Sequence, residues 1–156
     1  MIPEVKPGHF FFTSENVTSG HPDKLCDYIS DSVLDACLSQ DPNSKVACES
    51  SVKNSICMVF GEVHTKAEVN FEQIARQAIK EVGYDSNEIG MDYKTAVVIV
   101  AMDRQSPDIA QSVHLEKDEL DIGAGDQGLM IGYASDETEE LMPLSHQFCS
   151  LLIRRL

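Results

Sequence analysis

Apolar residues return every fourth position between about Pro22 and Leu38: Leu25, Ile29 and Val33, with Cys26 and Leu34 alongside. That spacing lines up one side of a 3.6-residue helix. Proline suits the first position, where its missing N–H costs nothing and its φ is already helical. Asp41-Pro42-Asn43 closes the segment. The pattern then changes. Lys45–Glu49 and Ile56–Val63 read as two strands, with the polar Lys53-Asn54-Ser55 as the turn between them. Helical periodicity resumes from about Asn70 to Val82. Phe71, Ile74, Ala78 and Ile79 make the stripe, Asn70 and Gln73 resemble a capping box, and Gly83 is the stop. Lys94–Met102 contains the run AVVIVAM and reads as the most buried strand. Short strands are expected at Phe10–Thr13 and Gly128–Ala134, and a last helix over Leu141–Arg155. From Asp103 to about Asp121 the chain is polar and aperiodic, long for a loop in a compact domain, and such loops are often lids or unstructured. Together these elements predict an α+β fold, with mixed or antiparallel sheets covered by helices on one face.

The chain has 156 residues, enough for one ordinary domain or part of a larger one, and its 42% hydrophobic content can supply a core. Charge narrows the partners. With 26 acidic against 12 basic residues the formal charge is -14, which repels nucleic acid and anionic membranes. The same carboxylates suit sites where Mg²⁺ mediates contact with a phosphate ligand. The apolar run at 96–102 is far too short to cross a bilayer. The five cysteines are odd in number, none forms C-x-x-C, and most lie in apolar runs, so buried free thiols in a reducing cytoplasm are expected. No stretch combines a basic start with a long apolar run, as a signal peptide would.

Two short segments carry candidate chemistry. Residues 121–133, DIGAGDQGLMIGY, contain G-x-G-x-x-G at Gly123, Gly125 and Gly128. A dinucleotide fingerprint needs a strand before it and a helix opening within it. Here an acidic, loop-like EKDELDI precedes and a strand-like GLMIGYA follows, so both flanks are wrong. What remains is either a Gly-rich turn entering a strand with Asp126 solvated, or a backbone that approaches a ligand while Asp126 faces an amine or cation. The other segment, SENVTSGHPDK at 14–24, crowds glycine, histidine, proline, acid and lysine onto a helix start. Unpaired N–H groups and partial positive charge there favour an anion. His21 and Lys24 add donors, and Asp23 could hold a Mg²⁺ bridging to phosphate. The same residues also make an ordinary capped helix start with Lys24 in solvent, and sequence physics alone leaves both readings open.

Taken together the two segments resemble one family, the S-adenosylmethionine synthetases (methionine adenosyltransferases). GHPDK (20–24) resembles the family's N-terminal active-site motif and GAGDQG (123–128) its signature hexapeptide. KVACES (45–50), FGEV (60–63), DYKT (92–95), QSPDIAQ (105–111), DETEE (136–140) and MPLSH (142–146) match in the same order and approximate spacing. The resemblance covers the chain from about Phe10 onward.

The resemblance implies formation of S-adenosylmethionine from ATP and methionine. The released triphosphate is then cleaved to pyrophosphate and phosphate, with Mg²⁺ and K⁺ required. It assigns His21 and Lys24 to catalysis and ATP phosphate binding, and Asp23 to Mg²⁺. Glu49 falls near K⁺, and Glu62, Gln105 and Asp126 around methionine. It further implies a homo-oligomer with active sites shared between subunits, three similar domains, and a mobile loop over the site at about 103–122. Family members are longer, so the chain is expected to be their N-terminal portion, 1–156, without the central and C-terminal portions. The alternative expectation is a truncated, non-catalytic paralogue or regulatory subunit that binds a full-length relative.

Overall fold

The computed structural model describes residues 5–104, 123–124 and 126–156. The chain divides into two compact units, one of residues 19–127 and one of residues 1–18 with 128–156.

The larger unit opens with α1 (Pro22–Leu38), followed by the antiparallel strands β1 (Lys45–Lys53) and β2 (Ile56–His64). After α2 (Phe71–Val82) come a small ribbon, β3 (Asp85–Ser86) with β4 (Met91–Asp92), and the strand β5 (Val97–Arg104). Strand β5 lies parallel to β2, giving the order β1-β2-β5. A parallel pair needs a crossover, and α2 supplies it. The sheet is therefore mixed and the fold α+β, as the hydrophobic pattern predicts.

Both long helices cover one face of this sheet. From α1 the i+4 series Leu25, Ile29, Val33 and Cys37 is buried. It meets Cys57 and Val59 of β2 and Ala75, Ala78 and Ile79 of α2, with Met91 and Ala96 at the edge. Complete burial of a side chain such as Ile29 or Val33 stabilises the fold by about 1.5–3 kcal/mol. Polar contacts fix the helices in place. Ser50 of β1 donates to the carbonyl of Cys26 at 2.6 Å, and the Tyr28 hydroxyl donates to Glu81, joining α1 to α2. Gln40, just past α1, makes reciprocal 3.3 Å bonds with the backbone of Glu68.

Side chains alternate along a strand. Since Cys57 and Val59 point into the core, Ile56, Met58, Phe60 and Glu62 point away from the helices. Register brings Val97, Ile99, Ala101 and Asp103 of β5 to that outer face, with Ala47 and Glu49 of β1. Ile56, Ile99 and Val97 remain 45–55% exposed there.

Local signals explain most element ends. His21 is the N-cap of α1 and Pro22 opens it. At α2 the Asn70 side chain accepts the Gln73 N–H at 3.0 Å, and Gly83 closes the helix at φ 106°. Strand β1 runs four residues further than its sequence suggests. Asn54 takes a left-handed φ of 51° and, with Ser55, turns the chain within two residues, so Ser50–Lys53 stay paired. Strand β5 begins at Val97 rather than Lys94, because Thr95 and Ala96 fold back to hydrogen-bond the Asp92 carbonyl. It then continues through Asp103 and Arg104.

The smaller unit holds α3 (Leu144–Ile153), shorter than the expected 141–155 because Pro143 sets its start and Leu141 is left-handed at φ 59°. Ser14 ties the N-terminal segment to α3: its hydroxyl lies 2.8 Å from that of Ser145, and its carbonyl accepts the Cys149 thiol. Phe10–Thr13 and Gly128–Ala134 are not strands. Their composition favours strands, but a strand requires a ladder partner, and neither segment has one among the described residues. Phe10, Phe11 and Phe12 stay 60–79% exposed. No helix among the described residues is long and apolar enough to cross a membrane.

Candidate functional site

The residues singled out in the sequence fall into three places. The first is the start of α1. His21 takes an extended conformation, φ −62° and ψ 138°, so that its carbonyl begins the helix. Its Nδ1 accepts the Asp23 N–H at 3.2 Å. A nitrogen that accepts an N–H carries no proton, so the neutral ring holds its proton on Nε2, and Nε2–H is the donor left for another partner. The imidazole is 39% exposed and the Asp23 carboxylate 90% exposed. Lys24 is exposed and 3.7 Å from Asp27, a surface pair of the kind readily exchanged for a stronger anion. Behind the turn, the Tyr84 hydroxyl donates to the Gly20 carbonyl at 2.6 Å. The first turn therefore offers an imidazole N–H, an ammonium and the Lys24 backbone N–H at the positive end of a helix, since Pro22 has no N–H and that of Asp23 goes to His21.

The second place is the outer face of the sheet. Glu62 lies opposite Ala47 on β1 and in register with Asp103 on β5, while Glu49 lies opposite Phe60. Glu49 and Glu62 are thus diagonal neighbours across β1 and β2, both exposed and both facing away from the helices. Gly61 permits this arrangement. Its φ is +136°, and a Cβ added there would stand 2.0 Å from the Ala47 carbonyl oxygen. A glycine inside a strand signals such a close approach, and Gly61 interrupts the strand-like run 56–63 in just this way. Nothing local in the sequence marks Asp103 as the neighbour of Glu62, since an in-register parallel pair joins residues 41 apart.

The third place is the glycine-rich segment. Asp126 is exposed, and its Oδ1 accepts the Gln127 N–H at 2.7 Å. Gly128 is not in the left-handed region, and a Cβ there would meet only the flexible end of Met130, at 3.0 Å. The demand for special dihedrals expected of this segment is therefore not found at Gly128. Gln105 and most of the expected covering loop, 103–122, lie outside the described residues.

Within one chain the first two places do not converge. The start of α1 belongs to the helical layer and lies by the β1–β2 turn, where Pro22 and Leu25 share a hollow with Val52–Asn54. Glu49 and Glu62 face the opposite side of the sheet, further from that turn. Two larger hollows, of about 700 and 590 Å³, border the segment before α2 and the groove between the two helices. Neither includes His21, Asp23, Lys24, Glu49, Glu62 or Asp126. A site needs polar groups that converge, so volume alone does not make these the functional centre.

Metal donors are sparse. Among the described residues no three His, Cys, Asp or Glu side chains are grouped to hold an ion. An Mg²⁺ ion that shares a bound phosphate takes one or two protein carboxylates and keeps several waters, and the exposed Asp23 at the start of α1 could be one such carboxylate. The cysteines are all free. Burial pushes the Cys57 thiol up to about 11, which removes it from nucleophilic chemistry near neutral pH.

Comparison with protein families matches two stretches of the chain. The model for "S-adenosylmethionine synthetase, N-terminal domain" matches residues 9–107, and that for "S-adenosylmethionine synthetase, central domain" matches residues 121–156.

Proposed function

The chain belongs to the S-adenosylmethionine synthetase family, and from that premise we propose that it takes part in forming S-adenosylmethionine from ATP and methionine, as the N-terminal portion of the catalytic machinery. The observation that carries the reading is the start of α1: the Nδ1 of His21 is committed to the helix cap, which leaves Nε2–H as its donor, three residues before the exposed Lys24.

In this reaction the methionine sulfur attacks C5′ of the ribose and the C5′–O bond breaks. Its electron pair leaves with the triphosphate, and the sulfur becomes a sulfonium. A thioether has no proton to lose, so no general base is required. The barrier falls through alignment of sulfur and carbon and through stabilisation of charge on the departing polyphosphate. His21 Nε2–H and the Lys24 ammonium donate to phosphate oxygens near the breaking bond. Asp23 would help to hold Mg²⁺, which would supply positive charge to the polyphosphate, and Glu49 would contribute to holding K⁺. Glu62 and Asp126 face the α-ammonium group of methionine, with Gln105 in the lining. Water then splits the triphosphate into pyrophosphate and phosphate.

Because the α1 start and the Glu49–Glu62 face lie on opposite sides of the sheet, we propose that each pocket is shared: one subunit supplies His21, Asp23 and Lys24, and the other supplies Glu49 and Glu62. The half-exposed Ile56, Val97 and Ile99 on the same face as the carboxylates give that contact apolar area to bury.

The test is S-adenosylmethionine formation from ATP, methionine, Mg²⁺ and K⁺, by the chain alone and mixed with a full-length family member. The catalytic reading predicts turnover that His21→Ala reduces at least a hundredfold, a loss of the size expected when a donor to developing charge is removed. The second reading, a non-catalytic binding subunit, predicts that the chain changes the partner's turnover and that His21→Ala leaves this effect intact.

A further inference from the structure

The Tyr84 hydroxyl reaches across 64 residues of sequence to the carbonyl of Gly20, at 2.6 Å, and from this contact we infer that Tyr84 is a positioning residue for His21. The inference rests on the reading of Gly20–Lys24 as a triphosphate-binding turn.

The Gly20 carbonyl and the His21 nitrogen belong to one planar peptide unit. Holding that oxygen fixes the plane from which the His21 Cα and imidazole project. Gly20 lies just before the helix, outside the ladder of α1. Among the described residues the Tyr84 bond is the only one that reaches the backbone of residues 15–20 from another element. Without it, the Gly20 carbonyl would have no hydrogen-bond partner among the described residues.

Tyr84 is itself firmly placed. It follows the glycine that ends α2, where Gly83 N–H bonds the Lys80 carbonyl at 3.0 Å and Tyr84 N–H the Ile79 carbonyl at 3.1 Å. This Schellman pattern returns the residue after the glycine toward the helix, and the Tyr84 ring packs against the buried core. The Tyr84 carbonyl accepts the Tyr93 N–H at 3.0 Å. Arg76 Nη1 then donates to the carbonyls of Tyr93 and Ala96, at 2.7 and 3.0 Å. Tyr84 also lines a hollow of about 200 Å³ together with Pro22 and Leu25, in the first turn of α1. The hydroxyl is thus the end of a rigid support running from α2 to the cap residue.

A purely structural tyrosine and a positioning one differ in what the loss of the oxygen does. The buried stripe from Leu25 to Cys37 holds α1 whether or not Gly20 is pinned. Tyr84→Phe keeps the ring and removes only the bond, so the fold stays while the cap geometry loosens.

The test uses the full chain with ¹⁵N-labelled histidine. In the unaltered protein the His21 ring nitrogens report the Nε2–H tautomer, and Tyr84→Phe shifts them toward an averaged mixture. Calorimetry with inorganic tripolyphosphate and Mg²⁺ then shows affinity weakened about 3- to 10-fold, the value of one lost hydrogen bond, at a temperature where both proteins are folded. If Tyr84→Phe matches the unaltered protein in tautomer and in affinity, the inference is overturned; the phosphate reading still stands provided His21→Ala loses tripolyphosphate. If the unaltered protein and His21→Ala bind tripolyphosphate equally, or neither binds, the phosphate reading fails. The tautomer alone then decides whether Tyr84 positions His21.

Discussion

A single methyl group at Gly61 would overlap the Ala47 carbonyl oxygen at 2.0 Å, in a backbone conformation that other residues rarely adopt. Gly61→Ala is therefore expected to cost at least about 2 kcal/mol of stability and to disturb the β1–β2 pairing that sets Glu62 opposite Ala47 and diagonal to Glu49. Chemical denaturation measures the first effect, and a loss no larger than that of a surface substitution would show that the strands have room to separate. Cys57 gives a second expectation at this scale. Its thiol is fully buried and pushed up to about 11, so iodoacetamide near pH 8 labels it only after the protein is unfolded, as mass spectrometry reads directly. Rapid labelling of the folded protein would contradict its burial. The placement of His21, Asp23 and Lys24 at a helix start was legible in the sequence because a helix start is local: cap, first-turn proline, acid and lysine lie within five residues. The Tyr84–Gly20 bond and the Glu62–Asp103 neighbourhood were not, since each joins residues brought together only by tertiary packing.

Elements whose ends are set by their own side chains were read closely from the pattern. The α2 boundaries follow from Asn70 and Gly83, and Asn70→Ala is expected to destabilise the protein by about 1 kcal/mol, measurable by thermal melting. A change indistinguishable from zero would mean that packing alone sets this start. Elements defined by pairing were read less well. Phe10–Thr13 and Gly128–Ala134 have the composition of strands without a ladder among the described residues, and the β3–β4 ribbon is too short to leave a periodic signal. The connection after α1 has its own pH signature. Asp41 accepts the backbone N–H groups of Lys66 and Asn43, at 2.9 and 3.1 Å, and the Lys66 bond leads in holding its carboxyl below the usual range. A depressed folded-state value contributes stability that is present above the unfolded value and fades as pH falls through the folded one. Asp41→Ala therefore lowers the melting temperature throughout the range above about pH 4, and the difference closes only below it. A gap that narrows between neutrality and pH 5 would place the effect on another group.

At the scale of the whole molecule the alternation of the strands matters most. It turns the core residues Cys57 and Val59 toward the helices and presents Glu49, Glu62 and a half-exposed apolar band on the other side. The helical stripe and the strands could be read from sequence, but not which face the helices cover or that β5 runs parallel to β2, because both depend on a crossover spanning α2. The shared-pocket proposal predicts self-association through the outer face. Sedimentation velocity should show a dimer, and Ile99→Glu should shift it to monomer without changing the circular dichroism. A monomer at every concentration would leave the two groups of residues unjoined in the isolated chain.

The central claim is that the His21–Lys24 turn, Glu62 and the Asp126 bend serve one ligand-binding pocket, whichever subunit supplies each. The direct measurement is amide chemical-shift mapping with Mg²⁺, a non-reactive ATP analogue and methionine added together. The account predicts that the amides of His21, Lys24, Glu62 and Asp126 all shift along one binding curve. Movement of the His21 turn with Glu62 and Asp126 unaffected, or on separate curves, would contradict it.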